Sequence, residues 1–270
     1  MKLKKIGIVG CGVIGSEIAK AICSDFKDAA TLSALYDIDN NKAQKLAVLL
    51  KKRNIVVSSL KELIKKSDFV VEAASARVSP DIARQALSAK RDCMIMSVGG
   101  LLEAADIFKL AKKKGCFVYV PSGALCGIDG LKAHKLAGIK KLTLVTRKPP
   151  QALKDSPYVI QHKLNLEEIK KETEIFEGSA QDAVSNFPQN INVAAVLSLA
   201  GMGKEKTRVK IICSPNSKNI HEIEIESDAG KTFIRCENNP APGNPKTSYL
   251  AVLSAIATLK QIFEPVKIGT

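Results

Sequence analysis

Three glycines near the start of the chain constrain its fold more than any other feature. Gly10, Gly12 and Gly15 lie in the segment VGCGVIG, which follows the apolar run KKIGIV and opens a stretch with helical apolar spacing. Between a strand and a helix, each glycine of the GxGxxG pattern has a structural role. The first glycine permits a tight turn, the second lets a phosphate approach the backbone, and the third lets helix and strand pack closely. The segment predicts a strand–turn–helix unit whose helix N-terminus can hold a pyrophosphate.

Short apolar runs continue through the first half of the chain, with helical spacing between them. They are ATLSALYD, NIVVSS, DFVVEAA, CMIMSVGG and CFVYVPSG. Alternation of strands and helices is typical of a parallel sheet covered by helices on both faces. Residues 1–121 are therefore predicted to form a Rossmann-type dinucleotide-binding domain.

An aspartate ends the second predicted strand. Asp37 lies 22 residues after Gly15 (37 − 15), where a carboxylate can bind both ribose hydroxyls and repel a 2′-phosphate. This position favours NAD as the cofactor, and the nearby Lys42 leaves NADP possible.

Further cofactor contacts are expected where the predicted strands end. Ligands of such sheets bind beyond the carboxyl ends of the strands. Ala74 in EAAS and Ser97 in SVGG lie at such ends, and Val13 and Ile14 lie inside the glycine segment itself. Ordinary loop residues are the alternative interpretation of each position taken alone.

In the second half of the chain, predicted strands follow one another instead of alternating with helices. Alternating runs TRVKIIC, NIHEIEIES and KTFIRCEN follow one another, and the turn signal DAG separates the last two. They predict an α+β domain over residues 122–243 with a mainly antiparallel sheet. After it, Asn244 is a good N-cap and Pro245 suits a first helical position, so a helix is predicted within residues 244–270.

One of the three histidines stands out because the strand pattern points it inward. Within NIHEIEIES, His221, Ile223 and Ile225 form one row, which is expected to face a core. The other row, Glu222 with Glu224 and Glu226, is expected to face water. A lone inward histidine is more often a hydrogen-bonded core residue than a catalyst. A dinucleotide domain, however, needs a partner for proton transfer with a pKa near neutrality, which makes His221 a candidate. His134 is expected to be exposed, and His162 has no visible partner.

Composition excludes several classes of function. The net charge is +14, but the lysines are scattered in pairs and one triple, so we expect no nucleic-acid partner. No apolar run approaches the ~18–20 residues of a membrane span, so we expect no membrane contact and a cytoplasmic location. The seven dispersed cysteines lack a CxxC pair, so no metal site is predicted.

Several segments together resemble the L-aspartate dehydrogenase family. They are GCGVIG, SVGGL, PSGALCGIDGL, TRKPP, FPQNINVAA, NIHEIE and NPKTS, in this order. The resemblance implies an NAD(P)-dependent oxidative deamination of L-aspartate to iminoaspartate, then oxaloacetate and ammonia, or the reverse amination, associated with NAD biosynthesis. It also implies a homodimer built on the antiparallel sheet, and a terminal helix that completes the dinucleotide domain.

The same resemblance assigns roles to single residues. The histidine of the N-x-H motif is the active-site residue of the family and corresponds to His221. Family cofactor contacts correspond to Ala124 in SGAL and Asn192 in NINVAA. The chain departs from the family at Ser122 and Cys126, where glycine or alanine is common, and in the loop CSPNSKN before the histidine, so substrate fit is the property placed in doubt.

Other functions remain open on the sequence. A relative of homoserine dehydrogenase or dihydrodipicolinate reductase would share the glycine segment. A non-catalytic protein that senses NAD(H) and controls a partner is the alternative outside enzymes. A dicarboxylate substrate would also need cationic partners, for which Arg147, Lys148 and Lys246 are candidates, although surface or capping roles are commoner for such residues.

Overall fold

The computed structural model of the chain describes residues 3–188, 192–215 and 218–269. They form two compact units. Unit 1 is the chain up to Pro121 together with Val252–Lys267, and unit 2 is mainly Ser122–Ala251. The predicted fold class, an α/β chain with a Rossmann-type domain and a second α+β domain, is confirmed.

Unit 1 is built on a five-stranded parallel sheet with the order β2-β1-β3-β4-β5. Its strands are β1 (Lys4–Val9), β2 (Ala30–Tyr36), β3 (Phe69–Glu72), β4 (Asp92–Ile95) and β5 (Val118–Tyr119). Its first helices are α1 (Val13–Ser24), α2 (Asn40–Leu49), α3 (Leu60–Lys66), α4 (Ser79–Ser88) and α5 (Asp106–Lys114). The run NIVVSS, predicted as a strand, contributes only an isolated bridge between Leu35 and Val56.

Unit 2 contains a mixed sheet with the order β10-β9-β6-β8-β7, in which β6 and β8 are parallel and the other neighbours antiparallel. Its strands are β6 (Ile139–Lys148), β7 (Thr173–Ser179), β8 (Arg208–Cys213), β9 (Asn219–Ser227) and β10 (Gly230–Asn238). A small second sheet pairs β11 (Pro240–Ala241) with β12 (Asn244–Ser248). The helices of unit 2 are α6 (Ile128–Leu136), α7 (Pro157–Gln161), α8 (Ala180–Asn186) and α9 (Asn192–Ala200).

One face of the large sheet in unit 2 belongs to the apolar core. Leu142 and Leu144 of β6 lie on this face beside Ile223 and Ile225 of β9, and Leu197 of α9 belongs to the same core. Side chains alternate along strands, so the polar residues at the ends of these rows are carried into the same interior.

The predicted start of the last helix is wrong. Helix α10 (Tyr249–Phe263) begins five residues later, and Asn244 with Pro245 belongs to strand β12. The reason is the preceding Pro242-Gly243 turn, in which Gly243 takes a φ of +78° and reverses the chain so that β12 pairs with β11.

Helix α10 supplies part of the core of unit 1. Its Ala255 and Leu259 are fully buried in that core. The ring of Phe263 lies 5.5 Å from the ring of Phe26, centroid to centroid, in an edge-on arrangement. The core of unit 1 is thus completed by residues that follow the main stretch of unit 2, Ser122–Ala251, in the sequence.

The prediction that all three glutamates of β9 face water is wrong for Glu222. Its side chain is buried and forms ion pairs with Arg147 of β6 and Arg235 of β10. Two guanidinium groups compensate the desolvation of the carboxylate, as a buried charge requires. Glu224 and Glu226 are half-exposed and pair with Lys141 and Lys231.

Over residues 3–188, 192–215 and 218–269, no helix has the length and apolar character that crossing a membrane demands.

Candidate active site

The glycine segment forms the tight turn between β1 and α1. Gly10 has a φ of +93°, and a Cβ there would lie 2.4 Å from the Ala73 carbonyl oxygen. A Cβ at Gly15 would lie 1.9 Å from the Gly10 carbonyl oxygen, so both positions exclude any side chain. A Cβ at Gly12 would meet nothing within 4 Å. Gly12 therefore leaves open space beside the backbone at the start of the helix.

The N-terminus of α1 fits an anionic ligand. Gly12 is its N-cap residue, no side chain caps it, and its first turn, which begins with Val13 and Ile14, contains no acidic residue. Backbone N–H groups and the helix dipole at such an end favour a phosphate. The residues present thus fit a dinucleotide pyrophosphate, and the contacts of the individual residues stay predictions.

Asp37 lies just beyond the end of β2 and connects it to the glycine turn. Its Oδ2 accepts a hydrogen bond of 2.7 Å from the backbone N–H of Cys11, and its Oδ1 accepts one of 2.9 Å from that of Asp39. The carboxylate is thereby fixed in orientation and only half-buried. Each oxygen retains a lone pair that a ribose hydroxyl can use.

Ala74 and Ser97 are brought together by a residue that sequence analysis missed. Glu72, fully buried at the end of β3, accepts hydrogen bonds from the Ala74 N–H (2.8 Å), the Ser97 N–H (2.9 Å) and the Ser97 hydroxyl (2.8 Å). Burial raises the pKa of Glu72 above its ordinary value, and these hydrogen bonds offset only part of that rise. The carboxyl group locks together the ends of β3 and β4, the edge where ligands of such sheets bind.

Glu72→Gln is expected to lower the free energy of unfolding by about 1–3 kcal/mol, because an amide NH2 would face N–H donors that lose their acceptor. Urea denaturation of both proteins measures this difference. Glu205→Gln, the same change at an exposed carboxylate, is the control. Equal stability of Glu72→Gln and the wild type would mean that the carboxylate does not hold the two strand ends.

In unit 2, His221 occupies a buried position on β9. The register pairs it with Thr146 of β6 on one side and Cys236 of β10 on the other. The residue is 2% exposed, and its Nδ1 lies 2.8 Å from the Thr146 hydroxyl. Burial, reinforced by the charge of Lys148, lowers the pKa of His221 to about 3. The imidazole is therefore neutral at physiological pH, with one nitrogen oriented by Thr146.

Lys148, at the end of β6, is the second buried polar residue of this region. It is two residues beyond Thr146, so both side chains project from the same face as His221. Lys148 is 9% exposed, and burial lowers the pKa of its ammonium group to about 8. A lysine in the motif TRKPP looks like a surface residue in the sequence, and only the sheet register shows that it is not.

Ala124 is held to the same region by a buried asparagine. The Asn238 side-chain amide donates to the Ala124 carbonyl oxygen (3.2 Å), and its Oδ1 accepts a hydrogen bond of 2.9 Å from the Ser248 hydroxyl. Asn238 pairs with Asn219 across β9 and β10, so it lies on the same face as His221. The structure therefore brings Ala124 and the His221 strand into one unit.

The remaining candidates lie elsewhere or serve the fold. Asn192 is the exposed first residue of α9. Arg147 pairs with Glu172 as well as Glu222 on the opposite face of the sheet, which explains its position by ion pairing. The Lys246 side chain lies outside the described part of the structure.

The other two histidines have structural partners. The sequence predicts an exposed His134, but the residue is half-buried, and its ring nitrogens lie 2.7 Å from the Ser227 hydroxyl and 2.8 Å from the Thr232 hydroxyl. His162 is exposed and stacks on Tyr158 at 4.0 Å between ring centroids. Among the described residues, no group of three or more histidine, cysteine, aspartate or glutamate side chains could hold a metal ion.

Family models match two successive parts of the chain, and known relatives match nearly all of it. Residues 129–262 match the family model described as aspartate dehydrogenase, C-terminal, and residues 10–121 match that described as homoserine dehydrogenase, NAD binding domain. L-aspartate dehydrogenase of Methanosarcina acetivorans is 50% identical over 98% of this chain and 99% of the relative. The relative from Methanococcus maripaludis strain C6 is 44% identical, with the same coverage.

Solved structures give the same result. The crystal structure of aspartate dehydrogenase from Thermotoga maritima matches with a TM-score of 0.72 and 26% identity over 99% of this chain and 100% of the other. A homoserine dehydrogenase from Thiobacillus denitrificans, 12% identical over 97% of this chain and 74% of the other, has a TM-score of 0.64, which is a likeness of fold alone. The resemblance seen in the motifs is confirmed, and the chain belongs to the L-aspartate dehydrogenase family.

Proposed function

We propose that the chain is an NAD(P)-dependent L-aspartate dehydrogenase that catalyses reversible oxidative deamination of L-aspartate. The observation that carries this proposal is the buried pair of His221 and Lys148 on one sheet face of unit 2, in a chain that is 50% identical to a protein of that name. A proton acceptor beside a cation suits a substrate that carries an ammonium group and carboxylates.

His221 would act on the amino group of the substrate. The neutral imidazole can take a proton from the substrate ammonium at Nε2 when its Nδ1–H donates to Thr146. The amine lone pair can then form the C=N bond as the Cα–H bond breaks. When bound, the nicotinamide would supply the hydride acceptor for that bond. Addition of water to the imine, with loss of ammonia, gives oxaloacetate.

The cofactor would be bound at the glycine turn of unit 1, through Gly10, Gly12, Val13, Ile14 and Gly15. Asp37 would hold the ribose hydroxyls, and its negative charge supports NAD over NADP. Ala74 and Ser97 are proposed contacts at the strand ends, and Ala124 and Asn192 are contacts that the family resemblance implies.

The test is steady-state turnover with a panel of substrates. Purified protein is mixed with NAD or NADP and L-aspartate, L-glutamate, L-alanine or L-homoserine, and formation of the reduced cofactor is followed by absorbance. L-aspartate is expected to give the highest kcat/KM. A preference for homoserine would favour the alternative oxidoreductase, and cofactor binding without turnover on any substrate would favour the sensing protein.

We further propose a homodimer that contributes to NAD biosynthesis, which the family resemblance supports, and a cytoplasmic location, which is the expectation from the apolar runs of the sequence. Light scattering should give a mass of two 29.0 kDa chains. A single-chain mass at micromolar concentration would contradict the dimer and leave the proposed reaction untouched.

A further inference from the structure

The ammonium group of Lys148 is a buried cation without a compensating anion. Among the described residues it has no ion pair, and burial alone accounts for its lowered pKa. Removing a charge from water is unfavourable unless a partner compensates it, as Arg147 and Arg235 do for Glu222. The ammonium group of Lys148 therefore lacks, among the described residues, the anionic partner that a buried charge requires.

A second unsatisfied group lies on the same face. The Asn219 Oδ1 is buried and lacks a hydrogen-bond partner in the described part of the chain. Asn219 lies two residues before His221, and the ladder that pairs Arg147 with Ile220 places it next to the end of β6, where Lys148 lies. A buried acceptor without a donor is destabilising, and an N–H group of a ligand could satisfy it.

We infer that Lys148 binds a carboxylate of the substrate while Asn219 accepts a hydrogen bond from the substrate's amino group. The inference rests on the proposed function and deepens it, since it assigns the residues that recognise an amino dicarboxylate. The two unsatisfied groups are of opposite kinds, and an amino acid carries a complement to each. His221 lies on the same face as both, so the bound amino group would be presented to the imidazole.

The ion pair would also prepare His221 for proton transfer. In the free protein the charge of Lys148 adds to burial in lowering the pKa of His221. A carboxylate on Lys148 neutralises that charge and raises the pKa of the imidazole toward the range in which it can act as a base. The substrate would thus increase the basicity of the group that deprotonates it.

Succinate is the probe of choice, because it is a dicarboxylate that cannot be oxidised at an amino carbon. Calorimetry compares its Kd in the wild type, Lys148→Met and Lys141→Met. Lys141 is the matched control, an exposed lysine of the same strand that pairs with Glu224. Lys148→Met is expected to weaken succinate binding by about 30-fold or more, and the control to leave it unchanged. Equal Kd values for Lys148→Met and the wild type would overturn the inference.

NMR of the histidine rings gives a readout independent of turnover. The chain has three histidines, and a His162→Gln variant helps to assign their signals. Succinate is expected to raise the pKa of His221 in the wild type but not in Lys148→Met, whose free form should already have the higher value. A pKa of His221 that changes neither with succinate nor with the substitution would contradict the proposed ion pair.

The wild type alone supplies a further test if Lys148→Met fails to fold. Succinate binding should weaken as the pH rises through about 8, where Lys148 loses its proton. The titratable neighbours on strands β8, β9 and β10 do not interfere there: burial raises the pKa of Cys213 and of Cys236, and lowers that of His221 to about 3. His134 of α6 lies toward the other end of the sheet, bonded to Ser227 and Thr232. Affinity that stays constant from pH 7 to 9 would rule out Lys148 as the anion's partner.

The outcomes separate this inference from the proposed reaction. Lys148-dependent succinate binding without turnover of L-aspartate would support the subsite and reject the reaction. Turnover of L-aspartate, together with a Kd for succinate that Lys148→Met leaves unchanged, would support the reaction and reject the subsite.

Discussion

His221→Ala is expected to reduce kcat for L-aspartate oxidation by about 100-fold or more, the usual cost of losing a positioned acid–base group. The substitution removes the proton acceptor and leaves the hydroxyl of Thr146 without the ring that it orients. Steady-state kinetics with NAD and L-aspartate measure the loss. Affinity for NADH, measured by fluorescence, should be unchanged, because the glycine turn and Asp37 are untouched.

The control for this substitution is His162→Ala, since His162 is exposed and its ring contacts Tyr158 alone among the described aromatic side chains. It should retain wild-type kcat. Turnover of His221→Ala within about threefold of the wild type would be too small a change for a general base, and the catalytic assignment would then be wrong.

Gly15→Ala and Gly12→Ala should have different effects on stability and on cofactor binding. At Gly15 the added methyl group would lie 1.9 Å from a backbone carbonyl oxygen, so the turn itself must move. We expect the free energy of unfolding to fall by about 1–3 kcal/mol or more, as in overpacked sites. At Gly12 the methyl group meets open space, so stability should change by less than about 1 kcal/mol, the scale of an N-cap substitution.

Cofactor affinity separates the two glycines further. The open space at Gly12 is where a pyrophosphate would approach the backbone, so Gly12→Ala should weaken NADH binding at least tenfold, which corresponds to ~1.4 kcal/mol. Urea denaturation and fluorescence titration give both quantities for each variant. Wild-type NADH affinity in a folded Gly12→Ala protein would show that the dinucleotide does not use this turn.

Local patterns in the sequence were sufficient to predict much of the architecture. The glycine segment predicted the turn, because only glycine fits at Gly10 and Gly15. The period of two in NIHEIEIES predicted the burial of His221 and Ile223 correctly. Both depend on sterics and periodicity within a few residues, which a sequence displays directly.

What escaped prediction depends on residues far apart in the chain. Glu72 looks like any carboxylate at a strand end until β4 brings Ser97 against it, 25 residues later. Glu222 breaks the water-facing pattern of its row only because Arg147 and Arg235 flank it on neighbouring strands. Lys148 gains its significance in the same way, from the register that places it near His221.

The error at the last helix is a conflict between two local signals. Asn244 followed by Pro245 is a sound helix start by capping rules. The preceding Pro242-Gly243 is an equally sound turn, and the pairing that it allows with Pro240–Ala241 decides the outcome. Nothing in the sequence ranks the two, since the deciding free energy comes from strand pairing.

The division of unit 1 into two stretches of chain has a consequence for biosynthesis. Phe263 and Leu259 enter a core that also contains Phe26, which is translated more than 200 residues earlier. During translation, part of the apolar surface of the nascent dinucleotide unit therefore stays uncovered until unit 2 has left the ribosome. A single proteolytic cut between the units would leave the last helix of unit 1 on the other fragment. We therefore expect neither unit to be stable without the other part of the chain.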